Sequence, residues 1–251
     1  MITSPPLPPG LVAHRLADRL DLVDEVHRLG AEVWPEFMRH SAGGGEYYGH
    51  LHDTFADCAI VVTDGGGQVV ARVLWIPFPF DGWLADEGWD WVIERGIAAR
   101  RNGTACSAAS ALEIGIHPNL RGGGLSGILL GHMRAAVAAD GHHSLFAPVR
   151  PNAKHTHPHD DMATYLRRLR PDGLPGDPWL RVHVRAGGQV VAPCNRSMTI
   201  GGTVQEWAEW TEADLAAPGN HEVPLALAPV TSDGIRAVYI EPNVWVRHPL
   251  G

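Results

Sequence analysis

The stretch 111–130, Ala-Leu-Glu-Ile-Gly-Ile-His-Pro-Asn-Leu-Arg-Gly-Gly-Gly-Leu-Ser-Gly-Ile-Leu-Leu, decides the reading of this chain. Leu112, Ile114 and Ile116 alternate with Glu113, Gly115 and His117, which is the period of a strand with one apolar face, and Pro118 stops it. Gly122, Gly123 and Gly124 follow, with no Cβ to keep a ligand off the backbone. Leu125, Ile128, Leu129, His132 and Met133 then recur at helical spacing. A strand that runs through a glycine loop into a helix aims free N–H groups and the positive end of the helix dipole at one place, which suits a pyrophosphate.

Two familiar phosphate loops do not account for this one. A Walker A loop needs a lysine and a Ser/Thr after its glycines, and no lysine stands here. Gly122, Gly124 and Gly127 meet the spacing of a dinucleotide fingerprint, but Asp140, near the distance of the ribose-binding acid, falls at a helix end and not at the end of a strand. The run Arg121-x-x-Gly124-x-Ser126 resembles the Arg-x-x-Gly-x-Gly/Ala signature of the GNAT acyltransferase superfamily, with Ser126 a small departure, and Ile116-His117-Pro118 is similar to that family's strand end. The resemblance continues through a strand over 143–149, Asn152, and a helix carrying Met162, Tyr165, Leu166 and Leu169, so that it spans roughly residues 59–185.

Working outward, residues 1–10 are proline-rich and read as a loose lead. Residues 11–16 suit a strand, 20–33 a helix, and 47–55 a second short helix after Gly43-Gly44-Gly45. The β-rich runs 59–63 and 69–77 flank Asp64-Gly65-Gly66-Gly67, a hairpin signal. A tryptophan-rich insertion at about 79–106 holds Trp83, Trp89 and Trp91, which serve either as its own small core or as a wall of the site. Residues 179–185 alternate like a strand, and Trp207 and Trp210 share a helix within 202–214. A final β-rich run covers 237–246. The expected fold is therefore mixed α/β, a GNAT-like central sheet, mostly antiparallel and flanked by helices, over residues 11–201, with a β-rich C-terminal elaboration, 202–251, packed on the same domain.

The formal charge of −8 argues against a nucleic-acid partner or an anionic membrane, and an acidic surface suits a cationic acceptor. No apolar run approaches the roughly eighteen residues of a membrane span, which makes a cytoplasmic protein the expectation. Cys58, Cys106 and Cys194 are far apart and odd in number, pointing to reduced thiols and not to a disulfide or zinc framework. Histidines at 155, 157 and 159, followed by Asp160-Asp161, look metal-binding at first sight, but helix capping by the aspartates is the cheaper account, and no metal site is expected.

The GNAT resemblance implies an acyl-CoA-dependent N-acyltransferase, most simply one that uses acetyl-CoA, with a small-molecule amine as acceptor. A homodimer is a further partner it allows. In that family the pantetheine arm enters a gap between two splayed strands, here 114–117 and 146–150. Ile114, Ile116 and His117 would line it, with the Ile116 N–H polarising the thioester carbonyl. Arg121, Gly122, Gly123, Gly124, Leu125, Ser126 and Gly127 would take the pyrophosphate, and Asn152 the pantetheine. By the same resemblance Tyr165 is the general acid for the departing thiolate, although a tyrosine at that spacing also serves as a half-buried helix residue. Strand alternation puts Glu113 opposite the apolar face as the base, with His117 its rival. Two competing readings are a non-catalytic module that binds an acyl thioester and a metal-dependent hydrolase built on the histidines of 155–159.

Overall fold

A computed structural model describes residues 2–251. In chain order its elements are β1 (Val12–Arg15), α1 (Val23–Val33), α2 (Ala42–Gly49), β2 (Ala59–Thr63), β3 (Val69–Phe78), α3 (Gly88–Asn102), β4 (Ala108–Ile116), α4 (Leu125–Ala139), β5 (Ser144–Val149), α5 (Met162–Leu166), α6 (Pro178–Arg185), β6 (Gln189–Thr203), α7 (Val204–Thr211), β7 (Gly219–His221), β8 (Val230–Ser232) and β9 (Arg236–Pro249). Their strands form one sheet in the order β1-β2-β3-β4-β5-β9-β8-β7, with β6 paired to β9. Every pairing is antiparallel except that of β4 with β5. This is the mixed, mostly antiparallel sheet flanked by helices, with added C-terminal strands, that the sequence leads one to expect.

The sheet separates two cores because successive side chains of a strand point to opposite faces. On β3, Leu74, Ile76 and Phe78 join Val26 of α1, Tyr47 of α2 and Ile93 of α3. Val73 and Trp75 of the same strand pack instead against Leu129, Met133 and Val137 of α4. Buried on both faces, β3 has no polar alternation except at Arg72. The C-terminal segment shares the first of these cores. Trp207 is fully buried there, donates its indole N–H to the Ala237 carbonyl at 3.0 Å, and lies 5.8 Å from the Phe37 ring.

Three local features depart from the sequence expectations. Residues 179–185 form helix α6 and no strand: Asp177 accepts from the N–H groups of Trp179 and Leu180, and Pro178 takes the first helical turn. An Asp-Pro pair is a helix-start signal that outweighs the short alternation of valines. Helix α2 begins at Ala42 because Ser41 caps it through the Gly44 N–H, so the three glycines lie inside the helix and not before it. The described part of the proline-rich lead is packed: Ile2 and Leu7 lie on the α4 core, and the His132 ring bonds the Pro5 carbonyl at 2.9 Å.

Candidate active site

Strands β4 and β5 pair only at Ala109 with Leu145 and at Ser110 with Phe146, then diverge. The register of β4 against β3 slips at Leu112, a bulge that bends the strand away. Beyond it His117 donates its N–H to the Val70 carbonyl at 2.9 Å. Ladder groups alternate sides along an antiparallel strand, so the N–H and C=O of Ile114 and Ile116 face the gap and not β3. Arg121 reaches into the gap from its far end, donating Nε to the Ile116 carbonyl at 3.1 Å.

At this end stands the glycine loop. Gly122 and Gly124 have φ of 84° and 79°, which makes glycine the residue that fits, and Gly124 is the N-cap of α4. The N–H groups of residues 122–126 have no hydrogen-bond partner among the described residues. They form the open N-terminal end of a fifteen-residue helix, whose free donors and dipole suit an anion. Helix α6 forms the opposite wall, close enough that a Cβ on Gly127 would lie 3.7 Å from Val182. One cleft of about 880 Å³ joins the loop, the gap and the far face of the sheet; its walls include Ile116, Arg121, Gly124, Ser126, Asn152 and Trp179. Valine at position 124 is expected to lower CoA affinity by at least about tenfold while the protein stays folded, since it adds a Cβ where backbone must meet ligand. Calorimetric titration with CoA measures this, and an unchanged affinity would move the pyrophosphate elsewhere.

The expected catalytic residues lie otherwise than the sequence suggests. Glu113 is on the face toward α1, but its carboxylate is chelated. Arg72 donates Nε and an Nη at 2.7 Å each, Tyr48 donates its hydroxyl at 2.6 Å, and the Glu113 side chain has 0% exposure. Burial and the Glu113 charge hold the Tyr48 phenol well above its ordinary pKa. An enclosed carboxylate with both oxygens engaged has no free edge to offer an amine. Tyr165 does not line the cleft. Its hydroxyl donates to Asp177 at 2.9 Å, and burial together with that carboxylate pushes the phenol above its usual range. Asp177 caps α6 and also accepts from the Ala153 N–H at 2.8 Å, so Tyr165 braces a wall of the site. Tyr165→Phe should therefore cost about 1–3 kcal/mol in urea unfolding, the worth of a hydrogen bond to a charged group, and leave turnover of the folded enzyme nearly intact. A loss of turnover with unaltered stability would return the tyrosine to the chemistry.

Of the other expected site residues, Ile114, Ile116, Arg121, Gly122, Gly124, Leu125, Ser126 and Asn152 border the cleft, whereas His117, Gly123 and Gly127 do not. His117 Nδ1 accepts from the Asn119 N–H, and Nε2 lies 3.6 Å from Glu32. The histidine-rich segment disperses: Asp161 caps α5 through the Thr164 N–H, Asp160 pairs with Arg168, and His159 pairs with Glu222. Among the described residues no three His, Cys, Asp or Glu side chains gather as a metal site would require.

His155 alone of that segment borders the cleft. Its Nδ1 lies 2.9 Å from the Asn152 carbonyl, an acceptor, so Nδ1 carries the proton and Nε2 of the neutral ring is an acceptor. A second ion pair, Arg150 with Glu241, also lines the cleft. Arg150 donates Nε to Glu241 at 2.8 Å, and the Tyr239 hydroxyl meets the same carboxylate at 3.1 Å. Sequence reasoning misses Arg150, Glu241 and Arg72; Arg72 did leave a trace, as a lone charge inside an apolar strand run.

The comparisons with known proteins agree with this fold. No family model matches the chain. It is 33% identical, over 279 aligned positions that cover 97% of this chain and 96% of the relative, to the arginine N-acetyltransferase avaD of Aspergillus versicolor. Its fold is similar to the loading GNATL domain of CurA from Lyngbya majuscula, with a TM-score of 0.66 and 14% identity over 96% of this chain and 98% of that one. It is also similar to the GNAT-like decarboxylase GphF in complex with isobutyryl-CoA, with a TM-score of 0.60 and 16% identity over 96% and 99%. The chain belongs to the GNAT superfamily. It is an N-acyltransferase that acts on an amine.

Proposed function

We propose that this enzyme transfers an acetyl group from acetyl-CoA to an amine nitrogen of arginine or of a closely similar guanidino amine. The observation that carries the reading is the continuity of one cleft, from the open N–H groups of residues 122–126, through the β4–β5 gap, to the Arg72–Glu113 and Arg150–Glu241 pairs. Both pairs are closed on themselves and brace the walls of the cleft, and the named activity of the avaD relative is what supports a guanidino amine as the acceptor class. The overall charge of −8 favours the approach of a cation.

In this reading the glycine loop and Arg121 hold the pyrophosphate, and the pantetheine lies along the open edge of β4. The Ile116 N–H, turned into the gap, polarises the thioester carbonyl. The acceptor nitrogen attacks that carbon, the C–S bond breaks, and the proton lost from nitrogen passes to His155 Nε2 and on to the thiolate. Glu113 fixes Arg72 and Tyr48 at the acceptor end and does not itself take the proton. The test is incubation of the purified protein with acetyl-CoA and a panel of amines, following thiol release and the mass of the product. Acetylated arginine is expected, and the absence of thiol release with every guanidino amine would overturn the reading.

A further inference from the structure

Residues 223–226 make a tight turn, closed by the Ala226 N–H on the Val223 carbonyl at 3.1 Å. Pro224 takes its second position, and Leu225 its third with φ of 68°. That is the pattern of a type II turn, whose third position normally belongs to glycine or asparagine because a Cβ is strained there. Among the described residues only Glu212 shares a positive φ without being glycine, and it ends α7, where that conformation is ordinary. Leu225 has no such excuse. It stands 49% exposed on the wall of the cleft.

The turn is held at three points by polar groups. Arg150 donates an Nη to the Leu225 carbonyl at 2.6 Å. Lys154, the one lysine of the chain, donates Nζ to the Leu227 carbonyl at 2.7 Å, and the Tyr239 hydroxyl accepts from the Leu227 N–H at 2.8 Å. Lys154 has 0% exposure and no carboxylate partner among the described residues, its other bond going to the His157 carbonyl at 2.7 Å. A non-glycine residue at positive φ works against stability, so its persistence on the wall of a cleft, braced by the buried Lys154 and by Arg150, points to function. The flanking Val223 and Ala226 belong to the core shared with α1 to α3, across the sheet from α4 and its glycine loop. Leu225 therefore borders the acceptor half and not the nucleotide half.

We infer that Leu225 is a specificity-determining residue, the apolar wall on which the aliphatic stem of the acceptor packs, with Arg150, Lys154 and Tyr239 as positioning residues that fix it. This rests on the proposed reading of the function. It assigns the site to compact amines with an unbranched methylene stem, as arginine has, and makes the fixed turn a barrier to bulkier ones. The test compares the wild type with Leu225→Gly and Leu225→Ala in steady-state kinetics with arginine and with an arginyl dipeptide. Both variants should raise KM for arginine about five- to tenfold through lost apolar contact, leave KM for acetyl-CoA unchanged, and improve the dipeptide relative to arginine. Only the glycine variant relieves the backbone, so it should melt no lower than the wild type, while the alanine variant keeps the strain. Should the wild type acetylate arginine and both variants keep its KM, or should KM for acetyl-CoA rise equally, the inference alone falls. Should the wild type acetylate no amine, the functional reading falls and takes the inference with it.

Discussion

Glu113→Gln is expected to destabilise the protein by about 3–5 kcal/mol, the usual cost of breaking a buried ion pair on one side. The Arg72 side chain is 4% exposed, and its remaining bond is to the Val26 carbonyl at 2.7 Å. The guanidinium fills the space beside Gly30, where even a Cβ would collide with it, so it cannot swing out to water. Glutamine matches the carboxylate in shape and can still accept from Tyr48, but it removes the charge that compensates Arg72. Replacing both partners by apolar residues, as in Arg72→Met with Glu113→Leu, should recover most of the loss, because no charge is then left buried. Urea unfolding of the single and double variants measures the coupling. An unaltered midpoint for Glu113→Gln would mean that Arg72 reaches solvent after all. Catalysis gives an independent readout: a free base would change the pH profile, whereas a structural pair should lower activity only in proportion to the folded fraction.

Sequence reasoning reached the elements that carry their own punctuation. Helix α4 starts at Leu125, where three glycines end, and the hairpin of β2 and β3 turns on Asp64 and its glycines. The gap between β4 and β5 was legible only through resemblance, because its cause, a bulge at Leu112, has no signature in a run of small and apolar residues. The local chemistry was least visible. A tyrosine thirteen residues after Asn152 in the sequence has the right order for the superfamily, yet Asp177, a residue that reads as a simple helix cap, captures its hydroxyl. Glu113 was placed on the correct face by strand alternation, but alternation says nothing of Arg72 on the neighbouring strand, opposite Gly115 in the register. Spacing along one element is local information. Which charges meet across elements is settled by topology, and for that reason both ion pairs of the cleft escaped notice.

That same limit hid His155, which sits in a segment whose three histidines invite a metal reading. Its single hydrogen bond, from Nδ1 to the Asn152 carbonyl, fixes the ring and leaves Nε2 as the acceptor nitrogen, the tautomer a general base needs. If Nε2 receives the proton of the attacking amine, His155→Gln keeps a polar side chain of similar reach but removes the base. Turnover should then fall by about 10²- to 10⁴-fold, the range for a positioned proton-transfer group, while KM for acetyl-CoA stays near the wild-type value. Stability should change little, since the side chain is only half-buried and makes one bond. Chemical rescue supplies the decisive measurement. Imidazole added to His155→Gln should restore part of the lost turnover, because the small base can enter the space the ring has left and take the proton of the attacking amine. A variant with wild-type turnover, or a slow one that imidazole does not rescue, would show that solvent carries the proton and that His155 only shapes the loop.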